Sequence, residues 1–167
     1  MVLIPRNPVN QNPLHRHDED SGTAEGGSIV ALNSEGKVAK VSASGQAPYG
    51  ILFQRVKGVT PGLPQNYEFP GEIGASDARL GDSVLVYQDG GTFETDNYVI
   101  VGSGVSAGTT LYARINDADD NGKLTDDTSD VADNGDGSTA LAVALAIDTL
   151  TADQVTAGEK LFVKLLI

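Results

Sequence analysis

One short unit recurs four times in this chain and limits what it can fold into. Each copy reads glycine, one or two small or polar residues, then a short apolar run. The clearest pair is Val105-Ser106-Ala107-Gly108-Thr109-Thr110-Leu111-Tyr112-Ala113-Arg114-Ile115 and Val155-Thr156-Ala157-Gly158-Glu159-Lys160-Leu161-Phe162-Val163-Lys164-Leu165. Gly81-Asp82-Ser83-Val84-Leu85-Val86-Tyr87 and Gly26-Gly27-Ser28-Ile29-Val30-Ala31-Leu32 follow the same template. Glycine turns the chain through positive φ, where other residues are strained. The runs that follow are rich in β-branched and aromatic residues, so each unit is a turn feeding a strand. The copies are unevenly spaced, which excludes a solenoid. The expected architecture is one β-domain that enters its strands in the same way each time.

Twenty glycines and seven prolines in 167 residues reinforce this, because they favour short strands and many turns. With no Trp and one Met, the core falls to Val, Leu, Ile, Ala and a few Tyr and Phe. A net charge of −12 repels phosphate, so no nucleic-acid partner is expected. There is no cysteine, hence no disulfide framework and no thiol chemistry. No apolar stretch approaches the roughly 20 residues of a membrane-spanning helix, and no membrane partner is expected. Met1-Val2-Leu3-Ile4-Pro5 lacks the basic region and apolar length of a secretion signal.

The pattern divides the chain into an extended N-terminal arm, residues 1–27, and a β-rich domain, residues 28–167. Pro5, Pro8 and Pro13 punctuate the arm, and Asp18-Glu19-Asp20-Ser21-Gly22 is charged and turn-prone. Fully stretched, the arm reaches at most about 90 Å. Its apolar tip has nothing local to pack on and is either a frayed terminus or a latch that orders on a partner, with Val2, Leu3, Ile4, Pro5 and Arg6 the candidate binding residues of the latch.

Within the domain, Asn33-Ser34-Glu35-Gly36 makes a hairpin between Ile29–Leu32 and Lys37–Val41. A buried strand follows Pro48, residues 58–70 form a proline-rich loop, and Ser76–Leu80 is read as one helical turn. Further strands are expected at Val84–Gln88, Thr92–Thr95, Tyr98–Val101, Leu111–Ile115 and Lys160–Ile167. Residues 116–138 are rich in aspartate and read as an acidic loop or flap, with Lys123-Leu124-Thr125 strand-like inside it. In Thr139–Asp148, Leu141, Val143, Leu145 and Ile147 alternate with Ala140, Ala142, Ala144 and Ala146. Period 2 predicts a strand with a bulky and a small face, the small face admitting another sheet or subunit. The apolar end, Leu165-Leu166-Ile167, is expected to be buried or at an interface. The fold class is therefore all-β, a small antiparallel sandwich or barrel of about eight short strands with an extended N-terminal arm.

Candidate chemistry is sparse. Gly102-Ser103-Gly104-Val105-Ser106-Ala107 matches a dinucleotide fingerprint, but a β-rich run follows where a helix is required. Asp117, Asp119 and Asn121, with Gly122, match the first half of a calcium loop. The position that should carry a bidentate Glu is Thr128, so calcium is a weak candidate and no other cofactor is expected. Both histidines lie in His15-Arg16-His17-Asp18, within the arm, where a catalytic base would lack a rigid support. No catalytic residues are assigned, and the expectation is a protein that is not an enzyme.

The segments SIVALNSEGKVAKV, APYGILFQRV, AGTTLYARI followed by NGKLT, and LAVALAIDTLTADQVTAGEKLFVKLLI together resemble the small β-rich capsid decoration (cement) proteins of tailed bacteriophages. Such proteins carry a Gly-x-x-Val-x-Leu strand, a hairpin to Gly-Lys-Val and a closing Val-x-Ala-Gly-x-x-Leu-x-Val-x-Leu. The resemblance covers residues 26–167 and leaves out the arm and the acidic loop. It implies a structural virion protein, made in the host cytoplasm, that binds the outer capsid surface as a homotrimer, with the major capsid protein as partner. The alternative is another virion or surface β-module, such as a head fibre base, a tail module or a carbohydrate-binding module.

Overall fold

The structure, a computed structural model, describes residues 3–6, 10–58, 77–135 and 139–167. Their chain order is β1 (Leu3–Pro5), β2 (Asn10–Arg16), β3 (Ile29–Leu32), β4 (Val38–Lys40), β5 (Pro48–Leu52), β6 (Arg55–Lys57), β7 (Asp77–Arg79) and β8 (Ser83–Gln88). The second half holds β9 (Thr92–Thr95), β10 (Tyr98–Val99), β11 (Gly104–Val105), β12 (Thr110–Ala113), β13 (Leu124–Thr125), β14 (Ala144–Ala146), β15 (Leu150–Thr151), α1 (Ala152–Thr156) and β16 (Leu161–Leu165). The all-β expectation holds. Among the described residues the strands number sixteen where about eight are expected, because many pairings are two or three residues long.

Two sheets carry the fold. One has the order β1-β9-β16-β14-β12-β13-β10, and the other β2-β8-β5-β3-β4. Most pairs are antiparallel; β10 with β13 and β6 with β7 are parallel. The main core lies between the sheets, where Ile29, Ile51 and Tyr87 of the second meet Phe93, Leu111, Leu161, Val163 and Leu165 of the first. Phe53, Tyr87 and Phe93 stack in sequence, with ring centroids 5.8 and 5.3 Å apart. The opposite face of the second sheet forms a smaller core of Val30, Val38, Leu52, Val84 and Val86, capped by Val56 of β6 and Ala78 of β7. That sheet also closes on itself. The His17 N–H donates to the Asp82 carbonyl at 2.8 Å and the Asp18 N–H to the Val38 carbonyl at 2.9 Å, so the end of β2 reaches β4.

All four repeated units behave as the glycine pattern predicts. Gly27, Gly81, Gly108 and Gly158 have φ of +90°, +81°, +90° and +70°, and a strand begins two or three residues after each. The Asn33–Gly36 hairpin is also present, with Asn33 Oδ1 accepting from the Glu35 and Lys37 amides.

Several expectations are corrected. The N-terminal segment is extended, but it is paired into the fold: β1 lies along β9 and β2 along β8. Asp77–Arg79, read as part of a helical turn, is a strand parallel to β6. Ser76 and nearly all of the 58–70 loop fall outside the described residues. The acidic stretch is no free flap. Leu124 and Thr125 are buried between β12 and β10, and Ala132 is buried with its amide on the Ala113 carbonyl. Between β15 and β16 the helix α1 is opened by a capping box in which Thr151 and Gln154 satisfy each other's backbone N–H.

Candidate functional site

The outward face of the seven-stranded sheet is built by register. Leu3, Thr95 and Leu161 align and turn inward, where all three are buried. Strand alternation then sends the next row outward: Ile4, Glu94 and Phe162, continued by Ile147, whose N–H donates to the Phe162 carbonyl at 2.8 Å. A second outward row runs Thr92, Lys164, Leu145, Thr110. Leu166, beyond the end of β16, donates its N–H to the Val143 carbonyl. Ile4, Phe162 and Leu145 are half-buried, while Ile147 is 37% and Leu166 48% exposed. The face therefore offers apolar side chains to water, with Glu94 set between Ile4 and Phe162 and Lys164 between Phe162 and Leu166.

Within 139–148 only Ala144–Ala146 forms a strand, and the alternation holds there but not before it, where Val143 of the bulky set is fully buried beside Ala144. Ala144 and Ala146 point into the core, so the small face meets the other sheet, one of the two occupants expected for it. Leu145 and Ile147 are thereby turned outward.

The candidate arm residues contribute unequally. Leu3 belongs to the core, and Ile4 to the outward face. Pro5 sits opposite Phe93. Arg6 donates its amide to the Thr92 carbonyl and sets its guanidinium on Glu94, with Nη2 2.7 Å and Nε 3.0 Å from Oε1. The hydrogen bond from Arg6 holds the Glu94 carboxyl below its usual range. Val2 lies outside the described residues. Sequence reasoning missed Leu145, Ile147 and Phe162, while Leu166 lies in the apolar end expected to be buried or at an interface. The alternation in Leu161–Leu165 was the available signal, since a glycine-entered strand with Leu161, Val163 and Leu165 inward sends Phe162 outward.

The calcium candidates are used internally. Asp117 Oδ1 accepts from the Asp119 amide at 3.1 Å, and Asn121 Oδ1 accepts from the Asp117 amide at 3.0 Å. Lys123 Nζ lies 2.7 Å from Asp120 Oδ1. These bonds fold a tight turn in which Asp117 Oδ1 and Asn121 Oδ1 accept from backbone amides. Nearby, Ser44, Asn116, Thr128, Asp130 and Asp133 line an open cleft of about 230 Å³. Its buried carboxylate, Asp133, is engaged by Ser44 Oγ at 2.7 Å and by the amides of Gly45 at 2.9 Å and Gly135 at 2.7 Å. Among the described residues, no three His, Cys, Asp or Glu side chains form a group able to hold a metal ion.

The two histidines stand apart in character. His15 Nε2 is 2.8 Å from Tyr49 Oη, and Nδ1 is 3.3 Å from the Gly36 carbonyl. His17 has no solvent-accessible surface, and neither ring nitrogen has a hydrogen-bond partner. The glycine fingerprint at 102–107 contains β11 and leads into β12, so no helix N-terminus follows it to hold a pyrophosphate. Among the described residues, no helix is long and apolar enough to cross a membrane.

No family model and no curated protein matches this sequence.

Proposed function

We propose that the chain is a structural virion protein that binds the outer surface of an icosahedral phage capsid and cements neighbouring capsomers. The observation that supports this reading is the outward sheet face of Ile4, Leu145, Ile147, Phe162 and Leu166. A folded monomer that leaves apolar side chains in water gains free energy by covering them. The partners in this reading are the major capsid protein and further copies of the chain, as a homotrimer. Identical weak contacts repeated over one shell add through multivalency. The acidic remainder keeps unbound copies apart in solution.

The reading changes which residues test it. Removing the N-terminal segment would delete Leu3 from the core and unpair β9, so lost binding would not separate docking from folding. Ile147→Asp and Leu166→Asp alter side chains already in contact with water. Both variants are expected to melt within a few degrees of the parent and to lose co-sedimentation with heads of the parent phage. Unchanged decoration by the double variant would remove this face from the proposal.

A further inference from the structure

His17 is the buried titratable group that no function above uses. It pairs with Val38 in a parallel bridge, so its side chain lies on the face of β4 that Val38 gives to the smaller core. There it closes the join between the first and last strands of the five-stranded sheet. The neutral ring already leaves Nδ1 and Nε2 unbonded. An imidazolium at the same place would bury a charge with two unpaired N–H donors, which a low-dielectric interior disfavours strongly.

Among the described residues Asp18 is the one neighbour that acts on that charge, and the other charged groups nearby are engaged elsewhere. On its own segment, His15 is bonded to Tyr49, and Asp18 accepts from Asn33 Nδ2 and from the Asp20 amide. Beside β4, Lys37 pairs with Glu19 and Glu35, and Lys40 reaches the Ala118 carbonyl. Before β8, Asp82 accepts from the Arg79 amide. On β6 and β7, Lys57 pairs with Asp77. Burial pushes the His17 pKa below its ordinary value, outweighing the Asp18 backbone and charge, which act the other way.

The two sides of the join are unequal. Toward β8, residues 10–16 are held by a ladder from Asn10–Gln88 to Arg16–Ser83. Toward β4, the backbone link is the His17–Val38 bridge with the Asp18 amide on the Val38 carbonyl, supported by Asn33–Asp18 and the exposed Lys37–Glu19 pair. We propose that His17 is a proton-operated latch: neutral, it seals the β2–β4 join of the five-stranded sheet, and protonated, it parts that join while β2 stays on β8.

The test is amide hydrogen exchange on the full chain between pH 7.5 and 5.0, expressed as protection factors. Opening that takes up one proton grows about tenfold per pH unit below about pH 6.5, until the closed form itself protonates. The Asp18 amide is expected to lose protection at that slope, while Val163 in the other sheet does not. His17→Leu is expected to make Asp18 protection flat with pH, and His15→Gln to leave the slope intact. A flat profile in the parent, or the same slope in His17→Leu, overturns the latch. If His17→Leu does not fold, the parent's ring resonances decide. Titration of His17 together with the loss of Asp18 protection supports the latch, and titration near pH 6.5 with Asp18 still protected overturns it.

Discussion

Asp133 shows what the acidic stretch is for at the residue scale. Only 4% exposed, it draws Ser44 Oγ, the Gly45 amide and the Gly135 amide onto its two oxygens. It therefore ties residues 133–135 to the turn after β4. A buried carboxylate with several donors is stable as an anion, and removing it strands those donors. Asp133→Ala is expected to cost about 2–3 kcal/mol, on the scale of charge-assisted bonds left unmade. Asp133→Asn keeps acceptor capacity on one atom and is expected to cost less. Urea denaturation midpoints of the three proteins check the order. If Asp133→Ala melts like the parent, the carboxylate is not what holds the turn. In the sequence this aspartate is indistinguishable from its solvated neighbours, because burial is decided by Ser44 and Gly45, roughly ninety residues earlier. His17 was hidden for the same reason, although its i, i+2 spacing from His15 puts both rings on one face of an extended chain.

At the element scale the glycine-entered strand divides into two physical cases. Gly108 has φ +90° with open space where a side chain would go, so Gly108→Ala carries only the left-handed strain, about 1–2 kcal/mol. Gly27 has the same φ, but an added Cβ would stand 2.5 Å from Thr95 Oγ1 and 3.0 Å from Asn97 Cβ. Those residues are buried, and Asn97 Nδ2 donates to Ser28 Oγ at 3.1 Å, joining the two sheets. Gly27→Ala is expected to be the more destabilising by at least about 1 kcal/mol, as overpacking adds to strain. Equal midpoints in urea would show that this junction yields. The turns themselves were legible, because positive φ is written as glycine and the runs after it as β-branched or aromatic residues. The capping box at Thr151 and Gln154 was legible too, as Thr-x-x-Gln. The pairing of β1 with β9 was not, since an edge strand is selected by the open edge it meets and Leu3-Ile4-Pro5 alone names no partner. Nor was the choice of occupant for the small face of Ala144 and Ala146: alternation fixes two faces, and only the facing sheet fixes which is covered.

At the scale of the whole molecule, charge and burial set opposite responses to acid, and salt separates them. A chain of net charge −12 repels itself, and that repulsion weakens as pH falls toward the isoelectric point of about 4.3. His17 acts the other way. Its folded pKa is lowered, so the unfolded chain binds a proton first. Its contribution is fully present above the unfolded value of 6.5 and is lost as pH falls from there toward the folded value. Glu19, Glu94 and Asp127 also have lowered values, from a backbone hydrogen bond, the Arg6 side chain and the Ser129 amide respectively. Their contributions are present above the unfolded values of 4.5, 4.5 and 3.8 and are lost below them. All three are solvent-facing, so that lower limb is small and screened by salt. The melting temperature in 1 M NaCl, where the screening length is about 3 Å, is therefore expected to fall between pH 7 and 5.5 through His17. In about 10 mM NaCl the relief of self-repulsion offsets part of that fall, giving a flatter profile. His17→Leu is expected to abolish the high-salt decline between pH 7 and 5.5 and to keep the decline below pH 4.5. A high-salt profile identical in parent and His17→Leu would place the acid sensitivity in the surface carboxylates and remove the buried ring from the account.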